Sequence, residues 1–261
     1  MCNKTAKEIN KIKRDIVKVS FHSKEGHLGS SFSVLDILYI LYGRIMKFSV
    51  MDVDDENRDY VILSKGHASL GHAAILKSRG VISDKQLASY CSHQSILGGH
   101  LNRLKVPGVE ASTGSLGHGI SISIGIALAM KIKQATNRVF VIVGDGETNE
   151  GTFWESMLLG AHHSLNNLCC IIDYNRSNDR ALKLDPLEDK IKAFGWDVTT
   201  IDGHSHDAIF SALNKYSSNK PKMIIANTIK GKGIKEMENN HAWHKRSPTK
   251  EELKRMIEEL S

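Results

Sequence analysis

The sequence predicts an α/β fold, a doubly wound, mostly parallel sheet with helices on both faces, and three observations carry that prediction. Five short runs are almost continuously apolar, "DYVILS", "RVFVIVGD", "LCCIIDYN", "WDVTTID" and "PKMIIANT". Strands buried on both faces read this way, whereas strands of a half-solvated sheet alternate. The stretches between the runs have helical apolar spacing. From "VFVIVGD" to "LCCIIDYN" the interval holds one helix-length segment, the size of a right-handed βαβ unit.

Taken in order, the first sixty residues read as helical. "AKEINKIKRDIVKVSFHS" puts Ile9, Ile12, Ile16 and Val19 on one face, and "SVLDILYILYGRI" follows a glycine-rich break. "DYVILS" is the first strand and "RVFVIVGD" the second. "GTFWESMLLGAHHSLNN" then reads as a helix and "LCCIIDYN" as the third strand, with "WDVTTID" and "PKMIIANT" completing the sheet. In the tail, "SPTKEELKRMIEELS", Ser247-Pro248-Thr249 followed by Glu251 resembles a capping start for a closing helix. There is no internal repeat and no low-complexity linker, so residues 1–261 read as a single domain with a helical N-terminal segment.

Composition narrows the function classes. The chain is 41% hydrophobic and 25% charged, ordinary for a globular protein. No apolar run approaches the roughly 20 residues of a membrane span, and the charged start lacks the apolar core of a secretory signal, so a cytoplasmic protein without a membrane role is expected. The four cysteines, Cys2, Cys91, Cys169 and Cys170, show no CxxC spacing. The adjacent pair should point to opposite faces of one strand, as reduced structural thiols. Lys+Arg of 35 against Asp+Glu of 29 gives +6, but the basic residues are spread thinly rather than clustered with aromatics. An anionic small molecule accounts for that charge without nucleic acid.

The chemistry concentrates at "VFVIVGDGETNEG", residues 139–151, where a strand runs into glycines and acids. Ligands of open α/β sheets sit at the carboxyl ends of strands, where backbone N–H groups face an anion. Gly146 allows close approach of such an anion, yet Asp145 repels a phosphate unless a cation lies between them. A hard metal such as Mg²⁺ takes oxygen ligands and is held by one or two carboxylates plus substrate phosphates. Asn175, 30 residues on at the end of the next strand, supplies a second oxygen at βαβ spacing. A GDG alone is usually only a turn; no G-x-G-x-x-G follows a strand and no GxxxxGK[ST] occurs, which argues against dinucleotide and P-loop sites.

GDG followed by Asn about thirty residues later resembles the thiamine diphosphate motif, and the surrounding sequence is similar to transketolase. "EGHLGSSFSVLDILYILY", "DYVILSKGHASLGHAAIL", "LGGHLN", "ASTGSLGHGISISIGIALAMK", "GDGETNEGTFWESMLLGAHHSLNNLCCIIDYN" and "IKGKGIKEMENNHAWHK" resemble family blocks in order, over nearly the whole chain. The resemblance implies the thiamine diphosphate-binding fold, in the N-terminal half that holds the cofactor's diphosphate. It implies that Asp145, Asn175 and the main-chain carbonyl of Ser177 bind Mg²⁺, or Ca²⁺ or Mn²⁺ in its place, with Gly146 touching the diphosphate. Gly114, Ser115 and Leu116 of "TGSLG" would face the cofactor. Glu147 is counted with the cofactor pocket, although its position suits solvent or a helix start equally.

By the same resemblance His27, His67, His100 and His244, of thirteen histidines, line the channel to the reacting carbon, bind sugar hydroxyls and move protons, with His67 and His244 also near the cofactor. An imidazole suits this because its unperturbed pKa is near 6.5. His241 is a weaker candidate. Ser30, Lys65 and Lys230 match polar residues near the cofactor or substrate phosphate, a solvated surface charge being the competing reading for either lysine. Glu150 would stand at a subunit interface in a relay between active sites; a solvated acid in the first helical turn is the alternative.

The implied reaction moves a two-carbon ketol unit from a ketose phosphate to an aldose phosphate, with the cofactor as electron sink. The family's glutamate for the aminopyrimidine, its ring pocket and its sugar-phosphate arginines belong to a second half. The chain is therefore expected to be the N-terminal subunit of a split transketolase, in an α₂β₂ tetramer with a C-terminal subunit; a fragment is the other possibility, and the charged closing helix favours the former. The competing readings are the α subunit of a 2-oxo acid dehydrogenase, deoxyxylulose-phosphate synthase and a non-catalytic subunit. Leu28 stands where the family has proline, and Lys245 where glycine often follows the histidine. Both are expected near the substrate channel, which leaves open pentose phosphate metabolism or a sulfosugar, apulose-type or natural-product route.

Overall fold

A computed structural model of the chain describes residues 2–49, 53, 55–179, 181–216 and 219–261, with side chains from residue 5 onward; the side chain of Cys2 lies outside the described residues. In chain order the elements are α1 (Cys2–Ser23), α2 (Leu28–Ile40), β1 (Tyr60–Leu63), α3 (Ser69–Ser78), α4 (Asp84–Ala88), α5 (His118–Ile132), β2 (Val139–Gly144), α6 (Gly151–His162), β3 (Leu168–Tyr174), α7 (Leu187–Ala193), β4 (Asp197–Asp202), α8 (His206–Asn214), β5 (Lys222–Asn227) and α9 (Lys250–Glu259). All five expected strands form, in the order β1-β2-β3-β5-β4, and every pairing is parallel. Parallel ladders need a crossover after each strand, which puts all the strand carboxyl ends on one edge of the sheet. That edge is where a ligand is expected.

The two faces of the sheet bury separate apolar clusters. Phe140, Ile142, Cys169 and Ile171 face one, with α1, α2 and α3 over them; Val141, Val143, Cys170 and Ile172 face the other, with α5, α6 and α7. Cys169 and Cys170 thus do point to opposite faces, as a strand requires. The predicted stripe of α1, Ile9, Ile12, Ile16 and Val19, is buried.

Two expectations are corrected. Leu28–Ile45, α2 with its π-turn continuation, is an 18-residue stretch long and apolar enough to span a bilayer, but 83% of it is buried inside the domain. It is apolar all round because it lies between α1, α3 and α8. The cap of α9 is Thr249, whose hydroxyl accepts from the Glu252 N–H while the Glu252 carboxylate accepts from the Thr249 N–H. The box therefore starts two residues after Ser247 and uses Glu252, not Glu251, because the side chain three residues past the cap is the one that reaches back.

Candidate active site

The carboxyl edge of β1, β2, β3 and β5 opens into a cavity of about 460 Å³. Of the residues expected at the site, His27, Ser30, Lys65, His67, His100, Gly114, Leu116, Asp145, Gly146, Glu147, Asn175, Ser177, Lys230 and His244 line it, and so does the weaker candidate His241. Ser115 and Glu150 do not. Ser115 is exposed between two lining residues of its loop, and Glu150 is an exposed residue at the start of α6. The Glu150 side chain makes no cap hydrogen bond, so its carboxylate does not close the first turn of that helix.

The walls are placed by buried polar ties between strand ends. Asp173, an acid inside the apolar run of β3, is fully buried. It accepts from Ser33 Oγ of α2 at 2.6 Å, from Thr228 Oγ1 after β5 and from the Lys65 ammonium after β1. Burial alone would raise the Asp173 carboxyl, but Lys65 and these donors hold it below its ordinary value. Lys65 is accordingly no surface charge: it is 1% exposed and ion-paired to Asp173. The signal for Asp173 was present in the sequence, since a lone acid within a buried strand demands a partner.

A second tie centres on Asp36 of α2, which accepts from His204 Nδ1 at 2.8 Å and His206 Nε2 at 2.9 Å. His204 Nε2 accepts the Ile229 N–H at 2.8 Å, so the ring proton sits on Nδ1. Burial opposes the charge of Asp36, yet the two imidazole donors hold its carboxyl well below the usual range. Beyond Ile229, Lys230 reaches His244 Nδ1 at 2.7 Å. An ammonium can only donate, so His244 accepts there and carries its proton on Nε2.

The imidazoles of His27, His67 and His244 form a cluster, with ring centroids 5.3, 5.5 and 6.2 Å apart. Burial, with His244 and Lys245 adding to it, lowers His27 to about 4. Burial and then Lys65 lower His67 to about 2, and burial and then Lys230 lower His244. These three rings are neutral near pH 7 and each offers one donor and one acceptor. His100 stands against Gly114, whose φ is +142°; a Cβ there would meet the His100 ring at 2.8 Å. Glycine is needed at 114 for both reasons.

Asp145 is 5% exposed, and among the described residues its carboxylate accepts only from backbone N–H groups, Gly146 at 2.9 Å and Asn178 at 3.3 Å. Among the described residues no lysine or arginine pairs with it. Burial first, and then the negative charge of Asp173, raise its carboxyl. A buried carboxylate under that pressure, with Asn175 and Ser177 on the same wall, fits a cation held by oxygen ligands. Asn175 Oδ1 here accepts from the Ser177 N–H at 3.1 Å and from the Ser177 hydroxyl. Among the described residues no group of three His, Cys, Asp or Glu could hold a metal ion.

Glu147 is not in solvent: it is 1% exposed, because its carboxylate turns inward to N–H and O–H donors. Leu28 is fully buried in the core and does not line the cavity, whereas Lys245 does; the first residue of α2 turns its side chain into the core. Asn178, not anticipated from the sequence, lines the cavity and supplies an N–H to Asp145.

A parallel α/β sheet whose strand ends carry this cavity, with a buried unpaired carboxylate and a ring of neutral imidazoles, defines a cofactor-binding domain. The chain belongs to the transketolase family: residues 2–261 match the family model described as the transketolase thiamine diphosphate binding domain. It is 34% identical to the A subunit of the apulose-4-phosphate transketolase of Phocaeicola vulgatus, over 96% of this chain and 92% of that protein. It is 37% identical to the 6-deoxy-6-sulfo-D-fructose transketolase subunit SqwG of Clostridium sp. (strain MSTE9), over 90% and 88%. The transketolase of Leishmania mexicana superposes with a TM-score of 0.89 at 26% identity, covering 98% of this chain and 41% of that one. The chain thus spans less than half of the solved transketolase and most of the two bacterial subunits.

Proposed function

We propose that this chain is the N-terminal subunit of a split transketolase, which transfers a two-carbon ketol unit between sugars with thiamine diphosphate and Mg²⁺, in the cytoplasm. The observation that carries the reading is the single cavity in which the Asp145–Asn175 wall meets the His27, His67 and His244 cluster. The two bacterial relatives are named as transketolase subunits, which supports a partner, here a C-terminal transketolase subunit in an α₂β₂ assembly.

Asp145, Asn175 and the Ser177 carbonyl would hold the metal, with Gly146 against the diphosphate and Ser30 and Lys230 on the anionic side. The N-terminal turn of α2, which carries Ser30, adds the positive end of a helix dipole. Thiamine diphosphate, when bound, supplies the carbon nucleophile and the electron sink. The neutral imidazoles of His27, His67 and His244, with His100, orient sugar hydroxyls and carry protons at ring nitrogens, a task worth about 10²–10⁴ in rate. Glu150, outside the cavity, is assigned to the interface with another subunit.

A second reading concerns the substrate. The two bacterial relatives are named for apulose 4-phosphate and 6-deoxy-6-sulfo-D-fructose, which favours a specialised anionic sugar over the pentose phosphate set, and Lys245, exposed on the cavity wall, is a charge that such a sugar could meet. Ketol transfer assayed with the chain alone, its partner alone and the mixture tests the proposal. Activity is expected only in the mixture and is lost with Mg²⁺-dependent cofactor binding in Asp145→Ala; full turnover by the single chain would overturn the split-enzyme reading.

A further inference from the structure

Glu147 lies two residues beyond Asp145, and its carboxylate has a separate set of donors. Its Oε1 accepts the Gly117 N–H at 2.8 Å and the Ser64 hydroxyl, and its Oε2 accepts the Gly144 N–H at 3.2 Å. Ser64 follows β1, Gly144 ends β2, and Gly117 is the left-handed residue that starts α5, with φ +83°. One carboxylate therefore joins two strand ends to the loop 113–117.

Among the described residues the loop has few other polar ties. Thr113 Oγ1 donates to the Leu63 carbonyl at 2.7 Å, and Thr152 Oγ1 of α6 and Ser121 Oγ of α5 donate to the Gly117 carbonyl at 3.1 and 3.3 Å; these last two hold Gly117 to the helices and leave its N–H to Glu147. A Cβ on Gly66 would meet Thr113 and Gly114 at 2.7 and 2.8 Å, and one on Gly119 would meet Ser64 at 2.3 Å. Glycine permits the approach but does not enforce it; directional bonds to a buried charge do. Gly114 and Leu116 stand on the cavity wall only while the loop is held.

We infer that Glu147 is a positioning residue that binds neither metal nor cofactor and instead ties the 113–117 loop to the ends of β1 and β2, setting the wall that Gly114 and Leu116 present. The tie is a property of the chain itself; its consequence for the cofactor rests on the reading of the cavity given above. The loop lies over β1, while Asp145 and Asn175 follow β2 and β3, so the two walls should be separable by ligand. Thiamine diphosphate needs both, inorganic diphosphate with Mg²⁺ only the second.

The test uses the full chain as wild type, Glu147→Asp and Glu147→Gln, read by amide hydrogen exchange and by titration with each ligand. Glu147→Asp keeps the charge but is one methylene shorter, enough for Gly144 and too short for Gly117. Exchange in 113–117 should accelerate by at least about tenfold, the factor a lost charged hydrogen bond carries, with β2 and β3 interior amides unchanged. Thiamine diphosphate affinity should fall by a similar factor and inorganic diphosphate affinity by less than about twofold. Glu147→Gln offers one acceptor oxygen for two sides, so the Gly117 or the Gly144 amide must accelerate, and this decides the matter if the Asp variant does not fold. Unchanged exchange at Gly117 in Glu147→Asp, or equal losses for the two ligands, would overturn the inference. If wild type binds neither ligand, the reading of the cavity fails while the exchange data still decide the tie.

Discussion

Single atoms set the limits at this site. At Gly114 an added methyl meets the His100 ring and demands a left-handed backbone, so Gly114→Ala should displace His100 and weaken ligand binding. Retained affinity, with the His100 resonances unmoved, would contradict it. His72 shows the energetic weight of burial. It is fully buried, bonded to Tyr42 Oη at 2.7 Å, and lowered to about 4 by desolvation. The folded chain refuses a proton that the unfolded chain accepts at about 6.5. The stability that His72 contributes is therefore complete above pH 6.5 and is lost as pH falls from there towards 4, by roughly 3 kcal/mol. Thermal melts across that range should show the slope, and His72→Gln should reduce it, leaving the part that the lowered His27, His67 and His244 supply in the same direction.

Among the elements, α2 has the most to hold in place. From one helix Ser33 reaches Asp173 under the cavity, and Asp36 reaches the β4–α8 turn and, through His204, the backbone after β5. Asp36→Asn replaces one acceptor oxygen by a donor and strands an imidazole proton, costing about 1–3 kcal/mol in denaturant unfolding; a loss under about 0.5 kcal/mol would show the tie to be idle. β1, β2, β3 and β5 were legible as aliphatic runs too short for a helix and bounded by turn residues, and α1 because its stripe is amphipathic; "WDVTTID" reads as buried on both faces like the others, but β4 is a partly exposed edge strand of the sheet. α2 was legible as a helix but not as a fully enclosed one, since an all-round apolar helix and a membrane span share a composition. GDG and Asn175 could be read from βαβ spacing, and His27, His67, His100 and His244 only through family blocks. The inward turn of Glu147 was not readable, because two of its three donors, Ser64 and Gly117, lie far from it in sequence, and Gly117 and Gly144 donate through the backbone.

At the scale of the whole molecule, both faces of the sheet are covered, yet two helices that pack together keep exposed apolar side chains. Ile122 and Ile132 of α5 and Leu158 and Leu159 of α6, the helix that Glu150 precedes, are 40%, 74%, 60% and 50% exposed. Exposed apolar groups gathered on neighbouring helices mark a contact surface. Leu158→Glu should abolish association with another subunit while leaving the melting temperature of the chain within a few degrees; unchanged association in gel filtration would remove this face from the interface. The polar ties also impose an order in time. Ser64 finds Glu147, Ser33 finds Asp173, and the cavity wall runs from His27 to Lys245. A ribosome works from the N-terminus, so the first imidazole of the cluster emerges long before the last. Until His244 has been synthesised and folded back, the cavity lacks a wall, and any ligand that needs all of it reports a chain made through that residue.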